Sequence, residues 1–464
     1  MSKCGAVLAA GLMLAAAAGA WGQQPAGKKD LELAGYHDLQ GRGAYQPVIH
    51  EQGGRWIAYI GHHGGASLNA LTGAREDSGT SIIDVTDPRA PRYLHHIPGE
   101  PGGGAQMVRV CKGKDLPRAD RGKVYLLRTL GHSAHEIWDV TRPGKPARLV
   151  TVADGLHGTH KNWWECDTGI AYLVSGVPGW RTTRMTQIYD LSDPAKPVFI
   201  RNFGLPGQQP GAGGEAPTGL HGPISTGPKG NRVYFGHGTN SDGILQIVDR
   251  GKLLNGPKEP TPENLLYPQA GRFDLPPAYG AHTAFPVMGM DLPESSGRKG
   301  RRDFVVVTNE ALGDGCGGPR QKVWIVDVAG ETRPEVASTW ALDDKIGNFC
   351  ARPGRVGAHS SHENFTPIYY RRIMFIAHFN AGVRAVDIRD PYHPKEIAYY
   401  IPVITDKSDR RCAKAVQDPR CRLAVHTNNV EVDDRGYVYI VDRAGGGMHI
   451  LELAGDARKA ADFR

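Results

Sequence analysis

Beyond its first twenty residues the sequence has no apolar run near the ~20 residues that a membrane-spanning helix needs, so no integral helical segment is expected there. It has no CxxC pair, so neither a dithiol redox motif nor a zinc knuckle is indicated. HExxH, P-loop and EF-hand patterns are also missing, which removes the chemistries that depend on those spacings. Basic residues exceed acidic ones only modestly, 55 against 48, and the arginines are dispersed. No stripe exists to track nucleic acid or coat an anionic membrane. No shift in composition marks a second domain. Gly131-His132-Ser133-Ala134-His135 approximates a nucleophile elbow but lacks its last glycine and a following helix.

What is present begins with an export signal. Lys3 supplies a positive charge, Ala6 to Ala18 form an apolar run, and Ala18-Gly19-Ala20 offers small residues for cleavage. The expected organisation is a signal peptide over 1–20, a linker over 21–29, a folded domain over 30–455 and a tail over 456–464. The mature chain is expected to be secreted, in a bacterial periplasm. Six of the seven cysteines lie beyond the signal, an even number that fits disulfides in an oxidising compartment. Glycine (61) and proline (33) are abundant and scattered, as suits many short strands joined by turns.

The architecture is set by internal repetition. One unit, apolar-Asp-apolar followed by two spaced prolines, appears as Ile83-Asp84-Val85 with Pro88 and Pro91. It returns as Trp138-Asp139-Val140, Tyr189-Asp190-Leu191 and Val386-Asp387-Ile388, each with its proline pair. Weaker copies are Val248-Asp249-Arg250, Val326-Asp327-Val328 and Leu451-Glu452-Leu453, making seven in all. Each apolar-Asp-apolar run ends a strand, and the prolines build a turn with no backbone donors to mispair. A further strand follows, and an earlier hairpin precedes. Four strands per unit, seven times, predict an all-β, seven-bladed β-propeller. The last unit lacks its fourth strand, and Leu31 to Tyr36 are expected to supply it from the N-terminus, leaving no open sheet edge.

At this motif the chain resembles the LVIPD-repeat proteins, exported bacterial propellers, and the resemblance covers most of the mature region. It implies the fold and little about activity. The long insertion from Gly251 to Tyr279 and the degenerate motifs of units four, five and seven depart from it.

Candidate chemistry lies in histidine. Five units open their innermost strand with a small or apolar residue and then His157, His221, His282, His359 or His426. Two of them add His160 and His362 three residues on. Loops between the second and third strands place His237, His378 and Glu310, with His62, His63 and Asp442, on the same face of the ring. Imidazole is the commonest transition-metal ligand, so the five first histidines are candidate ligands for copper, iron, manganese or zinc. His160, His237, Glu310, His362 and His378 are candidates for the surrounding shell. A second reading keeps these histidines structural, bonded within their own blades as in WD-type propellers. The histidine theme and Tyr189-Asp190-Leu191-Ser192-Asp193-Pro194 also resemble selenium-binding proteins, which include the methanethiol oxidases, and imply a copper oxidase. Some polysaccharide lyases likewise carry metal-binding histidines on a propeller face, so sugar acids stay open as substrates.

The expected function is therefore a metal-dependent oxidoreductase acting on a small molecule. The alternatives are a non-catalytic propeller binding a protein or glycan at its mouth, and a metal-dependent lyase. Placing the cysteines on the same map pairs Cys111 with Cys166, Cys316 with Cys350, and Cys412 with Cys421, the last stapling a lid over the mouth.

Overall fold

The computed structural model describes residues 26–239, 241–293, 300–313, 316, 318–343, 347–411 and 422–461. The expected signal peptide and the Cys412/Cys421 pair lie outside them. Seven antiparallel blades follow one another along the chain, the sixth and seventh joined into one sheet where Phe379 lies opposite Thr427. Blade 1 comprises Ala44–Gln52, Arg55–His62, Thr80–Asp84 and Arg92–Ile97. Blade 2 comprises Val108–Lys112, Val124–Leu130, Ala134–Asp139 and Ala147–Ala153, and blade 3 Asn162–Trp164, Ile170–Ser175, Met185–Asp190 and Val198–Phe203. Blade 4 is Leu220–Ser225, Arg232–His237, Ile244–Asp249 and Gln269–Asp274; blade 5 is Thr283–Asp291, Arg301–Thr308, Val323–Asp327 and Glu335–Trp340. Blade 6 is Val356–Ser361, Ile373–Phe379, Val383–Asp387 and Lys395–Ile401.

Blade 7 closes the ring. Its own strands, Thr427–Val432, Val438–Asp442 and Met448–Leu453, are completed by Leu31–His37, with Leu31 opposite Leu453 and Tyr36 opposite His449. Seven apolar clusters are each shared by consecutive blades, and one, with Ile49 and Ile60 against Val441 and Ile450, joins blade 7 to blade 1. The hydrophobic core is thus a ring of interfaces between sheets, and the axis is left to other residues. Gly27–Lys29, inside the expected linker, instead adds a fifth strand to the outer edge of blade 6, with Lys28 opposite Tyr400. In the tail, Gly455–Ala460 is helical, and Ala457 and Ala461 are buried against blades 6 and 7.

The repeated aspartates explain the repeat. Asp84 Oδ1 accepts from the Thr86 backbone N–H (3.0 Å) and hydroxyl (2.6 Å), and Asp139 does the same with Thr141. Asp190, Asp327 and Asp387 each accept from the N–H two residues on. The side chain mimics a backbone turn and turns the chain toward the outermost strand. In blade 4, Asp249 caps the helix Arg250–Asn255 through the Lys252 N–H (2.9 Å), which is how the long insertion begins. Disulfides join Cys111 to Cys166 and Cys316 to Cys350. The first ties the innermost strand of blade 2 to blade 3; the second ties the blade 5 loop to the link into blade 6.

Candidate metal centre at the channel mouth

Four imidazoles from consecutive blades stand side by side across the axis. They are His160, His221, His282 and His359, with ring centroids 4.6, 3.7 and 4.4 Å apart in that order. Backbone irregularity aims them. The ladder between the two inner strands of blade 4 slips between Leu220 and Gly222, and in blade 6 between Val356 and Ser360. The bulged residues include His221 and His359, which leave the alternation of the strand and turn to the channel. Blade 1 bulges at the same place, between Ala44 and Pro47, and sends in Tyr45.

The polar partners fix which nitrogen faces inward. His221 Nδ1 donates to the His282 carbonyl (2.8 Å), and His359 Nδ1 donates to the Asn428 carbonyl. His160 Nδ1 bonds Gln106 Oε1 at 2.7 Å. A carbonyl oxygen only accepts, so Nδ1 carries the proton and Nε2 presents a lone pair. His160 Nε2 then lies 2.8 Å from His221 Nε2, two acceptors face to face. The Tyr45 hydroxyl lies 3.0 Å from the same His160 nitrogen. His282 Nδ1 bonds Thr283 Oγ1 (2.8 Å), and its Nε2 is buried with no hydrogen-bond partner.

Glu310 completes the cluster. Ligand atoms of His221, His282 and Glu310 lie within 4.8 Å of one another, and Glu310 Oε1 is 3.6 Å from His359 Nε2. Arg355 holds the same oxygen at 3.2 Å. Burial holds all four imidazoles well below their usual range, reinforced by neighbouring cationic groups, so they are neutral near pH 7. Burial pushes the Glu310 carboxyl up, while Arg355, Arg443 and Arg184 pull it back. Above the ring opens a cavity of about 560 Å³, lined by Tyr45, Gln106, His160, His221, Glu310, His359 and the three arginines among others. Below the ring the axis is closed by buried charge. Glu363 binds both Lys161 and Arg109, and its N–H reaches Glu431 Oε2 at 3.3 Å.

Several sequence expectations need correction. His157 does not enter the ring: its Nε2 packs where a Cβ on Gly176 would lie 2.2 Å away, and His160 takes the axial place. His426 turns back, its Nε2 accepting the Arg355 N–H (3.2 Å), because Gly354 (φ +83°) leaves room where a Cβ would lie 2.1 Å from that nitrogen. His362 Nδ1 accepts the Phe375 N–H (3.2 Å). His237 bonds Gln246 (3.3 Å) inside blade 4, and His378 stacks on Trp340 with centroids 5.3 Å apart. His157 is exposed, while His237, His362, His378 and His426 are buried within or between blades. Of the second-to-third-strand group, Glu310 joins the ring and His63 lines the cavity above it. Tyr45 and Gln106 went unread, though a signal existed. Gly43-Ala44-Tyr45, Gly104-Ala105-Gln106 and Gly158-Thr159-His160 carry the same phrase as Gly280-Ala281-His282.

The fold these features define is a seven-bladed β-propeller with a histidine-lined axial mouth. Raptor from Chaetomium thermophilum superposes with a TM-score of 0.48 and 11% identity, covering 94% of this chain and 28% of that one. This chain therefore spans little more than a quarter of that protein's length. Chaetomium thermophilum Sqt1, solved bound to the N-terminus of the ribosomal protein L10, gives 0.47 and 10% identity, covering 91% of this chain and all of that one. No family model matches the sequence, and neither does any curated protein. The propeller assignment stands on the sheet order itself.

Proposed function

We propose that the chain is an exported metalloprotein that holds one transition-metal ion, copper, iron, manganese or zinc, between His160, His221, His282 and His359. We propose further that it acts there as an oxidoreductase on a small molecule. The observation that carries the reading is the 2.8 Å approach of His160 Nε2 to His221 Nε2, with both Nδ1 atoms already committed. Two lone pairs at that distance repel unless a cation lies between them. Two ligands bound about 2 Å from one ion at adjacent positions would stand about 3 Å apart. The orphaned Nε2 of His282 gives a third donor, and Glu310 a carboxylate to orient or complete the set.

When bound by these histidines, such an ion would supply Lewis acidity or electron transfer to a substrate in the cavity. The chain's own residues do the rest. The buried ladder below the ring closes the far side of the axis, so ligands reach the centre from the mouth. The phenol of Tyr45 is kept protonated by burial and serves as a hydrogen-bond donor at the rim of the site.

The second reading, a binding propeller with structural histidines, is favoured by the carbonyl bonds of His221 and His359 to the next blades. Metal content by mass spectrometry, on protein exported natively and purified without tag or chelator, separates the two. The expected result is about one equivalent, lost in the H282A/H359A double variant while the circular dichroism spectrum persists, and retained in H157A and H426A. Metal-free protein, even after reconstitution, would refute the proposal.

A further inference from the structure

We propose that the cavity above the histidine ring binds an organic carboxylate, gripped by Arg184 and Arg355 so that the ligand's other end faces the ring. The reacting end rests on the metal reading just given; the binding itself does not.

Charge is the first argument. Arg184 comes from the second-to-third-strand loop of blade 3, Arg355 from the link into blade 6, and Arg443 from the corresponding loop of blade 7. All three line the cavity, and all three act on the Glu310 carboxyl, the single acidic side chain among the lining residues. Arg355 is ion-paired to Glu310, and the Arg184 guanidinium stands beside that pair, so the lining carries positive charge that four neutral imidazoles do not balance. Such a concave cationic mouth concentrates anions and repels amines.

Unmet bonding is the second. The Arg184 backbone carbonyl is engaged by the Leu220 N–H (2.9 Å), but among the described residues its guanidinium makes no hydrogen bond or ion pair. It is half-buried, so part of its hydration is lost without replacement. The Thr239 hydroxyl, on the same wall, is buried and equally without a partner. A planar carboxylate meets the fork of one guanidinium with two parallel bonds and leaves a lone pair for a hydroxyl. Phosphate sites instead collect backbone N–H groups at helix N-termini. No described helix borders this cavity.

The test is calorimetric titration of the natively purified full chain with succinate, its uncharged analogue succinamide, and inorganic phosphate. Succinate is expected to bind saturably and at least tenfold tighter than phosphate, with no heat from succinamide. R184Q should weaken succinate at least tenfold without changing melting temperature or metal content. R184K, which keeps charge and loses the fork, should fall between. Absence of saturable succinate binding, equal binding by R184Q, or tighter phosphate than succinate would each overturn the inference. Metal content measured on the same samples separates the two proposals. Metal-free protein that binds succinate through Arg184 refutes the metal centre alone; metal-loaded protein that ignores succinate refutes the carboxylate site alone.

Discussion

Replacing Glu431 by Gln should change how stability varies with pH. Glu431 lies on the innermost strand of blade 7, 2% exposed, with Oε1 accepting from the Val432 N–H (3.0 Å) and Oε2 from the Glu363 N–H (3.3 Å). The charged groups acting on it are Arg109, which favours its anion, and Glu363, which opposes it; Lys161 feels it from the other side of Glu363. Burial dominates, and the carboxyl is pushed up from 4.5 to about 8. The folded chain therefore keeps a proton that the unfolded chain gives up above pH 4.5. Folded protein binds more protons across that window, so this group's contribution is full below the unfolded value and is lost as pH rises through about 8. At about 1.4 kcal/mol per pH unit, the swing over the whole window is roughly 5 kcal/mol, of which about 4 falls between pH 5 and pH 8.5. Gln stays neutral and removes the swing, at the constant cost of one acceptor, about 1 kcal/mol.

E431Q should thus be less stable than wild type at pH 5 and more stable at pH 8.5. In a chain of this length 1 kcal/mol moves the melting temperature by about 1 °C, so the difference should reverse sign over a span of about 4 °C. Paired thermal unfolding curves with disulfides intact measure it. The many buried histidines, which favour the fold less as pH falls below their ordinary range, act on both proteins alike and cancel. Parallel curves at all pH values would refute the assignment of a neutral Glu431 on the axis.

Two further outcomes are expected. Deleting residues 30–36 removes the closing strand of blade 7 and exposes Leu451 and Leu453, which pack with Leu31; the melting temperature should fall by more than about 5 °C, since each buried leucine is worth ~2 kcal/mol before ladder bonds are counted. An unchanged value would show that the ring closes without it. Non-reducing peptide mapping should recover Cys111–Cys166 and Cys316–Cys350, together with the Cys412–Cys421 pair expected from sequence. A free thiol at any of the six would break that scheme.

The repeats were legible because each is a local solution to a local problem. Asp84, Asp139, Asp190 and Asp387 close their own turns two residues on, and nothing distant is needed to read them. Counting the copies therefore yields the blades, and the copy short of a strand yields the closure by Leu31–His37. The cysteine pairs on the described residues followed from the same map: strand order brings the ends of neighbouring innermost strands together for Cys111–Cys166, and sets the blade 5 loop beside the link into blade 6 for Cys316–Cys350. Glu310 was legible for the same reason, as a loop residue on the histidine face.

The ring itself was only half legible. Sequence placed a histidine where each innermost strand begins in five blades, yet His157 and His426 look outward while His160 looks in. The difference is made by glycines at a distance: Gly176 makes room for His157, and Gly354 for His426. It is made also by bulges at Leu220/Gly222 and Val356/Ser360, which reverse a side chain's direction within one residue. Arg184 carried no motif at all; only the closed ring sets it over the same cavity as Arg355.

The sequence by itself determined seven blades, their closure and the face on which histidine gathers, because turn chemistry and strand pattern are written in neighbours. Which imidazoles meet, which nitrogen each presents, and which arginines overhang them were decided by tertiary structure. Those depend on strand register and on the packing of one blade against the next.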